Sequence, residues 1–219
     1  MDPEILNQTQ KSFLRKIGAI PYLKDSFYLT GGTALAAFYL KHRYSEDLDF
    51  FSEQEIDLLN LDVAIRALKE HAGALSIDFQ QSYNRNLVFF HLKGLVLKIE
   101  FTFFPFPRIE KGEARDGVSI DSLIDIAVNK LFTIYQRTAA RDYIDLYCIC
   151  RETKFKISDL VKKAKIKFDW HIDPLQLGTQ FMKSEETKDY PKMIQEIAPH
   201  EWQEFFLKEA KKLKSEILE

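Results

Sequence analysis

Between Ser26 and Phe51 the chain reads SFYLTGGTALAAFYLKHRYSEDLDFF, and the order of its parts leaves few folds open. A short apolar run enters two adjacent glycines. TALAAFYLKH then has the alanine and leucine content of a short helix, and DLDFF alternates with β-favouring aromatics. Strand, glycine turn, helix and strand in such quick succession build one end of a sheet. Asp47 and Asp49, two residues apart on the second strand, leave the same face, while Leu48 and Phe50 take the other.

Two carboxylates on one face repel each other unless a cation neutralises them, and hard oxygen donors of this kind suit Mg²⁺. Further along, LVLKIEFTFF places Lys98, Glu100 and Thr102 on one face of a strand and Leu97, Ile99 and Phe101 on the other. A carboxylate midway along so apolar a strand needs a partner. Turned toward Asp47 and Asp49, Glu100 completes a three-carboxylate site for two metal ions; turned away, it pairs with Lys98 or Arg85 on a solvated sheet face. Gly31, Gly32 and Thr33 stand where a helix begins, and glycines there let phosphate approach the free N–H groups of its first turn. The pattern of a P-loop, G-x-x-x-x-G-K-[ST], is absent.

GGTAL followed by HRYSEDLDFF resembles the nucleotidyltransferase signature of the polymerase β superfamily, and its wording is similar to the AbiEii/AbiGii toxin family. The resemblance runs from about Phe27 to Tyr147. It implies an enzyme that moves a nucleoside monophosphate from an NTP to a hydroxyl of RNA, the tRNA 3′ end among the candidates, or of a protein. It also implies two Mg²⁺ ions, a cognate antitoxin and a cytoplasmic toxin role. Asp47, Asp49 and Glu100 are then the metal ligands, although aspartate is expected at the third position. Gly31, Gly32, Thr33, Arg43 and Ser45 become candidates for binding the nucleotide, and His42 and Arg43 match the family's basic pair. A later block matches NKLFTIYQRTAARDYIDL, adding Lys130 as catalytic and Arg137, Asp142 and Asp145 as nucleotide-binding. A continuous helix there would set Lys130, Arg137, Arg141 and Asp145 in one stripe, as spacings of seven, four and four predict. Such stripes are also formed by plain ion-pair ladders.

The remaining sequence is read as an α+β chain: a small mixed-sheet core with flanking helices over 1–115, then a mainly helical half over 116–219. Helical spacing runs from Glu4 toward Pro21 and again from Asp57 to Gly73. LSIDFQQ, NLVFFHLKG and LVLKIEFTFF read as three strands. RIEKGEARDGVS is read as a polar connection, after which helices follow one another, with breaks near Pro174, Pro191 and Pro199. With 31 basic and 33 acidic side chains, attraction to a nucleic acid has to come from a local patch. No apolar run approaches a bilayer span and no secretory leader is legible, so a soluble intracellular protein without a membrane partner is expected. Cys148 and Cys150 point to different sides of a helix, as reduced core residues would. His71, His91, His171 and His200 lack metal-ligand spacing, and FTFFPFP reads as core and turn. A non-catalytic nucleotide-binding or interaction module on the same fold is the alternative to the enzyme.

Overall fold

A computed structural model describes residues 4–217. The chain divides into two compact units, one formed by 4–37 and 45–122, the other by 38–44 and 123–217. The fold is α+β, as expected.

Helix α1, Gln8–Ala19, starts at a reciprocal cap in which Asn7 and Gln10 each accept the other's backbone N–H, and it buries Phe13, Leu14 and Ile17. Pro21 opens a second short helix, α2, Pro21–Ser26, because proline fits a first helical turn as readily as it closes a preceding one. Strand β1, Tyr28–Thr30, leads into α3, Gly31–Leu35, which continues as a π-helical turn over Ala36–Leu40. Strand β2, Leu48–Ser52, and helix α4, Leu58–Ala72, follow; Asp57 caps α4 through the N–H groups of Leu59 and Asn60, and left-handed Gly73 ends it.

The three expected strands are β3, Ser76–Ser82, β4, Arg85–Leu92, and β5, Leu95–Phe103. The supposed polar connection holds two more. Strands β6, Ala114–Arg115, and β7, Val118–Ile120, form a hairpin through Asp116 and Gly117, both at positive φ, and β7 adds to β1 in parallel. The Asp-Gly pair is the local signal for such a turn. Gly18 on α1 is required by this hairpin, since a Cβ there would lie 2.3 Å from the Asp116 carbonyl oxygen. The seven strands are ordered β3-β4-β5-β2-β1-β7-β6, with β2–β5 and β1–β7 parallel and the other pairs antiparallel. Phe13 packs edge-on against Phe90, and Phe27 against Phe101, which stacks on Phe50; the apolar face of DLDFF thereby joins the core.

The second unit is helical: α5, Leu123–Gln136; α6, Ala140–Glu152; α7, Ile157–Phe168; α8, Pro174–Met182; and α9, Pro199–Ile217. Its core gathers Tyr143, Phe181, Trp202 and Phe206. Cys148 is buried and Cys150 partly so, both are free, and burial pushes each thiol up to about 12. No described helix is long and apolar enough to cross a membrane.

Candidate active site

Asp49 lies within β2, and the pairing of β2 with β1 and β5 fixes its neighbours. It stands opposite Thr30 on one side and in register with Glu100 on the other. Gly31 follows Thr30 at φ +71, where a Cβ would come within 2.8 Å of Asp49 Oδ2. The backbone angle favours glycine there, and any side chain would push the Asp49 carboxylate aside. Asp47 precedes the strand, and its loop is held from two sides. Gln10 Nε2 donates to the carbonyls of Ser45 and Glu46, each at 3.0 Å. The buried Thr33 hydroxyl donates to the Asp47 carbonyl and lies 2.8 Å from the Ser45 hydroxyl. Thr33 and Ser45 thus brace the Asp-x-Asp segment, while Gly32 is buried in the first turn of α3.

The three carboxylates are not gathered on a common point. Lys98 Nζ lies 2.8 Å from Asp47 Oδ2, with both side chains part-exposed. Glu100 takes a two-pronged bond from Arg85, Nε to Oε1 at 2.6 Å and Nη2 to Oε2 at 2.7 Å, and a third from the Thr102 hydroxyl at 2.8 Å. Burial alone would raise the Glu100 pKa; the bonds from Arg85 and Thr102, with the charges of Arg85 and Lys98, hold it below the usual value. Among the described residues, no three His, Cys, Asp or Glu side chains converge as a metal-holding group. As the side chains stand, Asp49 and Glu100 share a register level, Lys98 is on Asp47 and Arg85 is on Glu100. The partners of Glu100 are those foreseen for a sheet-face glutamate, but Glu100 itself is buried, at 6% exposure.

The later block lies in the second unit and follows another design. The helix expected to be continuous is broken at Arg137–Ala139, where no glycine or proline announces a stop; Ala139 is extended, at φ −152° and ψ 129°. The stripe is therefore not formed, and Arg141 is exposed. The break lets α6 pack against α5, and Lys130 meets Asp142 Oδ1 at 2.7 Å and Asp145 Oδ2 at 2.6 Å. Lys130 neither extends to solvent nor leaves its own unit. Asp145, wholly buried, is also clasped by Arg43, Nε at 2.6 Å and Nη2 at 2.8 Å, and touched by His42 Nε2 at 2.7 Å. Arg137 completes the group through Asp142 Oδ2 at 3.0 Å. Burial would raise the Asp145 pKa, but the charges of Lys130 and Arg43 and the bonds from Arg43 and His42 hold it well below the carboxylate range; Asp142 is lowered in the same way, chiefly by Lys130. The basic pair expected to reach phosphate is thus spent inside the second unit, since His42 and Arg43 are buried against Asp145.

Sequence reasoning missed the anchoring by Gln10 and the pairing of Lys98 with Asp47. The shared strand face of Lys98 and Glu100 was the available signal for Lys98. Nothing in the sequence ties Gln10 to a loop 35 residues away.

The profile of the family described as nucleotidyl transferase AbiEii toxin, type IV toxin–antitoxin system, matches residues 12–209. The chain belongs to this family. It is accordingly a nucleotidyltransferase, and its family sets it among enzymes that act on an NTP and have an antitoxin counterpart. An uncharacterized protein of Aquifex aeolicus is 28% identical over 212 residues, spanning 94% of this chain and 96% of its own. The fold is shared with a proposed nucleotidyltransferase of H. pylori, at a TM-score of 0.63 and 22% identity, covering 97% of this chain and 95% of that one. It is shared also with MenT4, a nucleotidyltransferase toxin of Mycobacterium tuberculosis, at 0.55 and 15%, covering 94% and 84%.

Proposed function

We propose that this AbiEii-family chain transfers a nucleoside monophosphate from an NTP to a hydroxyl of RNA or protein, using Mg²⁺ held at the β2–β5 carboxylates. The observation that carries the reading is Asp49, in register with Glu100 and next to a left-handed glycine where a Cβ would come within 2.8 Å of its carboxylate. The donor set fits a hard divalent cation, because Asp47, Asp49 and Glu100 offer only carboxylate oxygens. Bound there, such ions would neutralise phosphate charge and lower the pKa of the acceptor hydroxyl.

The chain's own residues do the rest. Gly31 and Gly32, opening a helical run that continues to Leu40, offer N–H groups to the β and γ phosphates. Thr33, Ser45 and Gln10 hold the Asp47 loop in place so that the carboxylates need not reorganise. The acceptor oxygen attacks the α phosphorus as the bond to the β-phosphate oxygen breaks, and pyrophosphate leaves; the hydroxyl proton passes to a carboxylate at the site. Glu100 serves as that base only once Arg85 releases it, since the two-pronged bond keeps its pKa low. Lys130, Arg43, Asp142 and Asp145 act as a positioning framework within their own unit.

Incubation with each α-labelled NTP, Mg²⁺ and either total tRNA or cell protein tests this reading. Label carried to RNA or protein by the natural chain and not by Asp49→Asn supports it, and the labelled fraction identifies the acceptor. No transfer from any NTP to either pool would refute it.

A further inference from the structure

A strongly basic surface lies on the second unit, formed by residues given no role so far. Between Lys154 and Lys167 the sequence KFKISDLVKKAKIK holds six lysines and one acidic residue, in a chain whose overall charge is -2. Helix α7 sorts them cleanly. Ile157, Leu160, Ala164 and Phe168 form its buried face, and Lys167 is drawn inward to Asp125 at 2.6 Å. The other five lysines, Lys154, Lys156, Lys162, Lys163 and Lys165, are exposed. Asp159 is the single acidic side chain among them, and it reaches only Lys162, at 4.0 Å. On α7, Lys162 and Lys163 stand one turn before Ile166; the helix ends at Phe168 with Asp169 left-handed, and the Trp170 N–H returns to the Lys165 carbonyl at 3.3 Å, which brings Trp170 back to the end of the helix that carries Lys165 and Ile166. Ile166 is 83% exposed and Trp170 57%. A large aromatic ring left in water beside lysines that outnumber the nearby acidic groups is unusual for a merely solvated helix face, which needs neither.

We infer that this face of α7 is a docking surface for single-stranded RNA, with phosphates on Lys162, Lys163 and Lys165 and an unpaired base stacked on Trp170. Charge complementarity selects a polyanion, and the aromatic face beside the lysines is what a base, rather than a bare phosphate or sulfate chain, would use. An anionic membrane is less well served: the apolar side of α7 is already buried in its own unit, leaving two apolar side chains to insert, and Asp169 and His171 flank Trp170. Docking of this kind favours RNA over protein as the acceptor class, and to that extent it rests on the function proposed above.

Trp170 and Trp202 are the only tryptophans, and Trp202 is buried at 1% exposure, so quenching of tryptophan emission on titration reports Trp170. The probe is a labelled 20-nucleotide single-stranded RNA of mixed sequence, titrated by anisotropy against the full chain at several salt concentrations. The expected result is quenching on binding, with affinity lost steeply as salt rises. The Lys162→Gln, Lys163→Gln, Lys165→Gln triple variant should lower the salt slope by about 2, as three lost phosphate contacts at roughly 0.7 each require. Trp170→Ala should weaken binding about tenfold and Trp170→Phe should largely restore it, as loss and return of one stacked base predict. Unchanged affinity and slope in the triple variant would overturn the inference, as would a chain that binds anionic phosphatidylserine vesicles through these lysines but not RNA. Asp49→Asn separates the two readings. If it binds RNA like the natural chain while neither transfers nucleotide, the surface stands and the proposed activity falls. If the natural chain labels RNA and the triple variant does so with an unchanged KM for RNA, the activity stands and the surface falls.

Discussion

The carboxylates of the first unit and those of the second are paired with cations in opposite ways. Asp47 faces Lys98 with both side chains part-exposed, and Glu100 is held by an Arg85 that is 54% exposed. Asp145 and Asp142 are buried, and so are Arg43 and Lys130, the cations on Asp145; Arg137, on Asp142, is the one exposed member of the group, at 55%. A cation on a part-exposed carboxylate, as Lys98 is on Asp47, can leave it again at little cost, because exposed ion pairs are worth about 0–1 kcal/mol; Arg85 can swing into solvent, although Glu100 is buried. A cation buried with its carboxylate cannot, because separation strands a desolvated charge. The first arrangement suits ligands that must become available to a metal and a nucleotide. The second suits a fixed framework. Similar Asp, Lys and Arg content thus serves exchange in one unit and permanence in the other, and burial rather than residue type makes the difference.

The largest expected effect comes from attacking the framework. Asp145→Ala leaves Arg43, Lys130 and His42 buried together without their common anion, and we expect a loss of about 3–5 kcal/mol. Both tryptophans belong to the second unit, so denaturant unfolding followed by tryptophan fluorescence reads the effect where it arises. A loss under about 1 kcal/mol would break the contrast with the first unit. Acid offers a second view of the same cluster. Asp142 and Asp145 have pKa values lowered by folding, so their contribution is present above the unfolded value, about 3.9, and disappears as pH falls below it toward the folded values. The tryptophan-monitored stability should therefore drop steeply below about pH 4, and Asp145→Asn should flatten that drop.

Asp49→Asn belongs to the other side of the comparison. It should abolish nucleotidyl transfer while changing stability by no more than about 0.5 kcal/mol, since asparagine keeps the size and shape of the side chain. Loss of activity accompanied by unfolding, seen by circular dichroism, would show that this carboxylate is framework after all. Gly31→Ala should fall between the two, costing about 1–3 kcal/mol because it combines a left-handed backbone with a collision at Asp49. The same variant should lose most activity, because relief of the collision displaces the carboxylate.

How far the sequence reveals this division depends on the range of the interactions. The β1–α3–β2 unit was legible because its signals are local: a glycine pair, an alternating strand, and helix α4 marked by Asp57 and Gly73 at its two ends. The family block was legible as a set of residues but not as a geometry. Arg137–Ala139 breaks the helix without a glycine or proline, and only tertiary packing decides that Lys130 turns to Asp142 and Asp145. His42 and Arg43 precede Asp145 by more than a hundred positions, a separation at which no periodicity speaks. The β6–β7 hairpin was overlooked despite its Asp-Gly turn, because β6 is only two exposed residues at the sheet edge and β7, although Val118 and Ile120 alternate about Ser119, is only three residues long.

The smallest effect is the most discriminating. If Lys98 only holds the place of a metal, Lys98→Met removes a part-exposed ion pair and should change stability by less than about 1 kcal/mol. It also removes a positive charge that competes with any divalent cation for Asp47. Mg²⁺ affinity, measured by isothermal titration without nucleotide, should then rise by about three- to tenfold, as expected for deleting one like charge a few ångströms away in a well-solvated site. A framework lysine would behave in the opposite sense: stability would fall by several kcal/mol, as for Asp145→Ala, and metal affinity would fall with it as the Asp47 loop lost order. The two signs cannot be confused, so a decrease in both quantities would move Asp47 and Lys98 to the permanent side of the comparison and leave Asp49 and Glu100 alone as exchangeable ligands.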